Sequence, residues 1–120
     1  CYKSFAEEKT YDEARQTCAS DGGLLAMPKD RAIDAFLGTL ADAVRWIGLT
    51  DIDSEGQWVF EDGRTLSSTG YANWADDEPN NFGGRQHCVV IEETGKWNDK
   101  LCSQIQGFIC QMDEGMLYIL

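Results

Sequence analysis

Between Glu78 and Asp99 the chain reads EPNNFGGRQHCVVIEETGKWND, with side-chain oxygens gathered at both ends. Glu78, Asn80 and Asn81 open the stretch, and Asn98 and Asp99 close it. Between them lie Gly83-Gly84, a cysteine and the apolar run Val89-Val90-Ile91. Glu92-Glu93-Thr94-Gly95 predicts a hairpin turn, with glycine free to take positive φ. Folding back at that turn brings Trp97-Asn98-Asp99 level with the region just before Cys88, so two sets of oxygens converge. Carboxylates mixed with neutral amide oxygens suit a hard cation, and calcium takes about 6–8 oxygen ligands. The chemistry expected here is calcium binding. Asp76-Asp77-Glu78, the densest anionic patch in the chain, adjoins this point and would draw cations toward it.

The preceding elements must carry that stretch. Tyr2 to Phe5 reads as an edge strand. Thr10 and Glu13 fit a capping box, opening a helix that lines up Tyr11, Ala14 and Cys18 on one face. Asp21-Gly22-Gly23 ends it. Leu24 to Met27 is apolar and stops at Pro28. A second helix is expected from about Asp30 to Ala43, burying Ile33, Phe36, Leu37 and Leu40 and leaving Arg31, Asp34 and Asp42 in water. Arg45 to Leu49 reads as a strand, Thr50 to Gly56 as acid-rich turn, and Trp58 and Phe60 share one face of the next strand. Thr65 to Pro79 shows neither helical nor alternating pattern. A loop of that length in a compact domain is usually functional or disordered, and this one leads into the acidic cluster. Gly107 to Cys110 closes the domain as a last strand. Trp46, Trp58, Trp74 and Trp97 are expected in the core.

Composition narrows the class. The chain has 120 residues, enough for one domain with a core of its own. A net charge of −11 argues against nucleic acid and against anionic membrane surfaces. No run approaches the roughly 20 apolar residues of a membrane span. The five cysteines contain no CxxC pair, and His87 is the single histidine, which excludes a zinc cluster of the usual kind. In a domain of this size the cysteines read as two disulfides and one odd residue, hence an oxidising, extracellular setting. No signal peptide is visible, so that setting implies a removed leader or a longer parent chain. Cys1 is expected to find its partner upstream or on another chain. With one histidine and no nucleophile beside it, no enzyme is indicated. His87 reads as a surface residue. The apolar tail Met116 to Leu120 is expected to pack on the domain or a partner.

Taken together, the order of motifs is specific. Cys18 on a first helix, Trp46-Ile47-Gly48-Leu49 after a second, Glu78-Pro79-Asn80 in a long loop, Cys88, Trp97-Asn98-Asp99, Cys102 and Phe108-Ile109-Cys110 form one series. The series resembles the C-type lectin domain, long form, over nearly the whole chain. The resemblance implies an α+β fold: two helices flanking small antiparallel sheets, a long calcium- and ligand-binding loop, and disulfide staples. A single domain is expected over 1–120, with its core in 1–110 and a tail in 111–120. The implied bridges are Cys18–Cys110 and Cys88–Cys102, with Cys1 left from an N-terminal hairpin bridge whose other cysteine lies outside this chain.

The family's sugar-binding calcium maps onto Glu78, Asn80, Gln86, Asn98 and Asp99, with Pro79 at the position of a proline preceded by a cis bond. Sugar contacts are expected from Glu78, Asn80, Gln86 and Asn98, with Phe82 beside them. The EPN triplet resembles members that select mannose, fucose, glucose or N-acetylglucosamine, and the QPD pattern for galactose is absent. Gln86 departs from the family's acid at that position. An amide keeps an oxygen ligand but removes a formal charge, so weaker calcium binding is expected. An auxiliary calcium site found in some members maps to Asp51, Glu55 and Asn81. It also uses acids where this chain has Gln86 and His87, which weighs against it here. The expected function is a calcium-dependent lectin for mannose-type sugars on glycans, with roles in innate immune or cell-surface recognition, as an oligomer or part of a larger protein. The alternative is a lectin-like module that binds protein through the long loop with little or no calcium-dependent sugar binding.

Overall fold

The computed structural model describes residues 1–76, 78–79 and 86–112. Thr10 opens α1 (Tyr11–Ser20) as its N-cap, and the capping box with Glu13 forms in both directions. Such a cap contributes about 1 kcal/mol by satisfying helix-end N–H groups that would otherwise lack partners. Tyr11, Ala14 and Cys18 are the buried face of α1, as the spacing predicts. Asp30 caps α2 (Arg31–Leu40) by accepting the Ile33 N–H at 2.8 Å.

The strands are β1 (Tyr2–Lys9), β2 (Gly23–Leu25), β3 (Arg45–Thr50), β4 (Val59–Phe60), β5 (Gln86–Ile91), β6 (Trp97–Leu101) and β7 (Gln106–Met112). They form one sheet in the order β1-β7-β3-β5-β6, with β2 added to β7 and β4 to β3. Most pairings are antiparallel, but β3 runs parallel to β7. The sheet is covered on both faces, which is why Val89-Val90-Ile91 is an unbroken apolar run rather than an alternating one. Val89 and Ile91 pack with Leu37, Ile47, Leu49, Trp97 and Ile109. Cys88 and Val90 turn the other way, to Tyr11, Ala14, Trp46 and Phe108. Both bridges have the pairing the resemblance implies, Cys18–Cys110 and Cys88–Cys102, and Cys1 is free and exposed.

Two expectations need correction. The stretch from Thr65 is not structureless: Thr65 caps a single-turn α3 (Leu66–Thr69) that Gly70 ends at φ 70°. One turn is too short for a helical period to show in sequence. The second correction concerns α2. Asp34, expected in water, is 2% exposed, whereas Phe36, expected in the core, is 49% exposed and packs against Tyr2 in a tilted contact at a centroid distance of 5.8 Å. The inward face of α2 carries Asp34, Leu37 and Gly38, with Ala41 following. Gly38 is what allows the helix so close: a Cβ there would stand 3.1 Å from the Cα of Gly95 in the β5–β6 turn. Gly95 itself has φ 85°, the left-handed conformation the turn requires. Leu24 is also at the surface, at 36% exposure, while Leu25, Ala26 and Met27 are buried.

Candidate functional site

The hairpin expected at Glu92–Gly95 forms, with the Glu92 N–H bonded to the Lys96 carbonyl at 2.8 Å. It sets the β5–β6 register, in which Ile91 faces Trp97, Val90 faces Asn98 and Val89 faces Asp99. The register slips by one residue between Gln86 and Cys88, a bulge beside the candidate ligands. Asp99 is fully buried, while Asn98, Gln86 and Glu78 are half-buried.

The long loop reaches this strand through main-chain bonds. The Trp97 N–H donates to the Asn73 carbonyl at 2.9 Å, and the Ala75 N–H donates to the Trp97 carbonyl at 2.8 Å. The Trp74 and Trp97 backbones thus form a parallel bridge, while their rings meet edge-on with centroids 5.5 Å apart. Trp58 extends the aromatic contact at 5.0 Å from Trp74. The Glu78 N–H then bonds back to the Ala75 carbonyl at 3.0 Å, and the Glu78–Pro79 peptide is cis, as the resemblance implies. Glu78 is therefore tied, within one turn, to a residue bonded next to Asn98. Asn80, Asn81 and Phe82 lie outside the described residues, as do Asp77, Gly83, Gly84 and the tail.

A second cluster stands where β3 ends. Thr50 faces Cys88 across the β3–β5 pair, which places Asp51 beside His87. Asp51 is 1% exposed; its Oδ1 is 2.9 Å from His87 Nδ1, and its Oδ2 accepts the Gly56 N–H at 2.9 Å. Ligand atoms of Asp51, Glu55 and His87 lie within 4.8 Å of one another. A hydrogen bond to Asp51, more than any other influence, raises the Glu55 carboxyl above its ordinary range. His87, expected to be an ordinary surface residue, is thus a partner of the buried Asp51, with 29% of its side chain exposed. Nothing in the local sequence signals this, since the contact depends on the register of two strands 36 residues apart.

The long loop and the β5–β6 hairpin thus bring Glu78, Gln86, Asn98 and Asp99 onto neighbouring stretches of chain. Residues 7–112 match the sequence profile of the Lectin C-type domain. The chain is 40% identical over 114 residues to Collectin-10 of Gallus gallus, covering 92% of this chain and 40% of that protein. It is 38% identical over 113 residues to pulmonary surfactant-associated protein D of Bos taurus, covering 92% of this chain and 30% of that protein. The chain thus spans well under half the length of these curated relatives. Among solved structures, the human scavenger receptor C-type lectin carbohydrate-recognition domain superposes with a TM-score of 0.87 at 28% identity, covering 95% of this chain and 91% of the other. The cow CD23 carbohydrate-recognition domain gives 0.85 at 34% identity, covering 94% and 88%. The chain belongs to the C-type lectin domain family, a family of binding modules rather than enzymes. No helix among the described residues is long and apolar enough to cross a membrane.

Proposed function

We propose that this domain is a calcium-dependent lectin that binds mannose-type sugars on glycans, with Glu78, Asn80, Gln86, Asn98 and Asp99 as the calcium ligands. The observation that carries the reading is the tie between the two halves of the ligand set: Ala75 bonded to Trp97, and Glu78 bonded to Ala75. The described donors fit a hard cation, being two carboxylates and two amide carbonyls. Burying the Asp99 carboxylate costs solvation that a neighbouring cation would offset. The calcium supplies the centre on which vicinal hydroxyls of a sugar are held. On this reading Glu78 and the amides of Asn80, Gln86 and Asn98 would orient those hydroxyls by accepting and donating hydrogen bonds, with Phe82 proposed as the apolar contact.

The cow CD23 domain, 34% identical to this chain, was solved in the presence of a GlcNAc2Man3 oligosaccharide, which supports the sugar class. Collectin-type relatives support an extracellular setting, with domains of this kind joined in an oligomer or a larger protein. Multivalency then raises avidity without any new contact.

Calorimetric titration of the chelator-stripped domain tests the calcium part. The native chain should show a saturable site in the extracellular range, with a dissociation constant of about 10⁻⁴–10⁻³ M. Gln86→Glu restores a third carboxylate and should tighten it by about ten-fold, since affinity follows ligand charge. No heat from either protein, or weaker binding by the variant, would contradict the ligand assignment.

A second reading has one observation in its favour. Where the mapped auxiliary calcium site calls for an acid this chain has His87, whose Nδ1 lies 2.9 Å from Asp51 Oδ1, and Gln86 beside it likewise replaces an acid. On that reading the loop binds a protein partner, and free mannose does not compete.

A further inference from the structure

Among the described residues, one buried carboxylate lies outside every proposed ligand set yet bonds to both the long loop and β6. Asp34 on α2 is 2% exposed, and none of the described ion pairs involves it. Its Oδ1 accepts the Trp97 indole N–H at 2.6 Å. Its Oδ2 accepts the Tyr71 hydroxyl at 2.9 Å and an N–H of the Asn73 side-chain amide at 2.8 Å. The same amide donates to the Gly95 carbonyl at 2.9 Å, which joins the hairpin turn to the network.

Burial, and next the hydrogen bond to Asp34, push the Tyr71 hydroxyl up to about 12, so it stays a donor. The carboxylate thus gathers donors from the loop (Tyr71, Asn73) and from the first residue of β6 (Trp97). Three main-chain bonds in series link Asn73 and Trp97 to Glu78: Trp97 N–H to the Asn73 carbonyl, Ala75 N–H to the Trp97 carbonyl, and Glu78 N–H to the Ala75 carbonyl.

A buried carboxylate without a cationic partner is costly, and an apolar residue would fill this notch with less desolvation. What leucine would not supply is a fixed spacing among three donors drawn from separate elements. We propose that Asp34 is a positioning residue for the sugar and cation site: by holding Trp97 against Tyr71 and Asn73, it sets where Glu78 stands relative to Asn98 and Asp99. The inference rests on the calcium reading above, and it acts through main-chain placement rather than contact with any ligand.

The test uses the 120-residue domain with Asp34→Asn, which keeps the volume and one acceptor, and Tyr71→Phe, which removes one donor only. Calcium affinity is read by calorimetry, amide hydrogen exchange is followed at Ala75 and Trp97, and the thermal midpoint is measured in chelator. Asp34→Asn should weaken calcium about ten-fold, the lower end of what losing an outer-shell partner costs. It should also speed exchange at both amides, with Tyr71→Phe moving both readouts the same way by less. A merely structural Asp34 would lower the thermal midpoint while the folded variant kept native calcium affinity and native exchange, and that result overturns the proposal. If the native domain itself ignores calcium, the calcium reading fails. The exchange rates at Ala75 and Trp97 still decide whether Asp34 positions the loop.

Discussion

Asn98→Ala is expected to abolish calcium-dependent sugar binding while the domain stays folded. Asn98 is half-buried on β6 directly after the fully buried Trp97, and Val90 opposite it holds the strand in register. The substitution removes one proposed calcium ligand and one sugar-hydroxyl partner together. The loss should be at least the roughly 100-fold that removal of a mere outer-shell partner can cost. Stability in chelator should change by no more than about 1 kcal/mol, because the core on both faces of β6 is untouched. Measured side by side, sugar retention and chemical unfolding separate the two effects. A variant that binds sugar like the native chain would remove Asn98 from the site.

The second large effect concerns what keeps the scaffold in place. Cys18–Cys110 ties α1 to β7 across a sequence separation of 92, whereas Cys88–Cys102 spans 14. In the chain-entropy account, loops of about 100 and 15 residues contribute about 4.7 and 3 kcal/mol respectively. Replacing Cys18 and Cys110 by Ala should therefore lower unfolding free energy more than replacing Cys88 and Cys102. The first loss is a large share of the about 5–15 kcal/mol that such domains possess. Cys18 and Cys110 are both fully buried, so the paired change also empties space in the core. Urea unfolding of the two double variants decides the order, and an equal or reversed order would contradict the loop-length argument.

Much of the scaffold is legible in local sequence because its causes are local. Thr10 and Glu13 bond to each other's backbone, Gly95 takes the positive φ its turn needs, and Val89 to Ile91 is apolar because the sheet is covered on both faces. The Glu78–Pro79 cis peptide and the disulfide pairing are legible only through the ordered motifs of the family, since spacing alone leaves the four cysteines three ways to pair.

Asp34 was not legible. Read along a helix, an Asp marks the wet side, and nothing within a turn of it reveals that its partners are Tyr71, Asn73 and Trp97, 37 to 63 residues away. The same distance hides the pairing of His87 with Asp51. One further clue was present but could be read two ways. Gly38 weakens a helix, yet here it marks where the helix touches the turn at Gly95.

Calcium-dependent mannose binding is tested by passing the domain over immobilised mannose in calcium and eluting first with free mannose, then with chelator. The domain should be retained in calcium, released by free mannose, and not retained when chelator is present from the start. Passage without retention at saturating calcium, or retention that neither mannose nor chelator reverses, would contradict calcium-dependent mannose binding and turn the search to protein partners of the long loop.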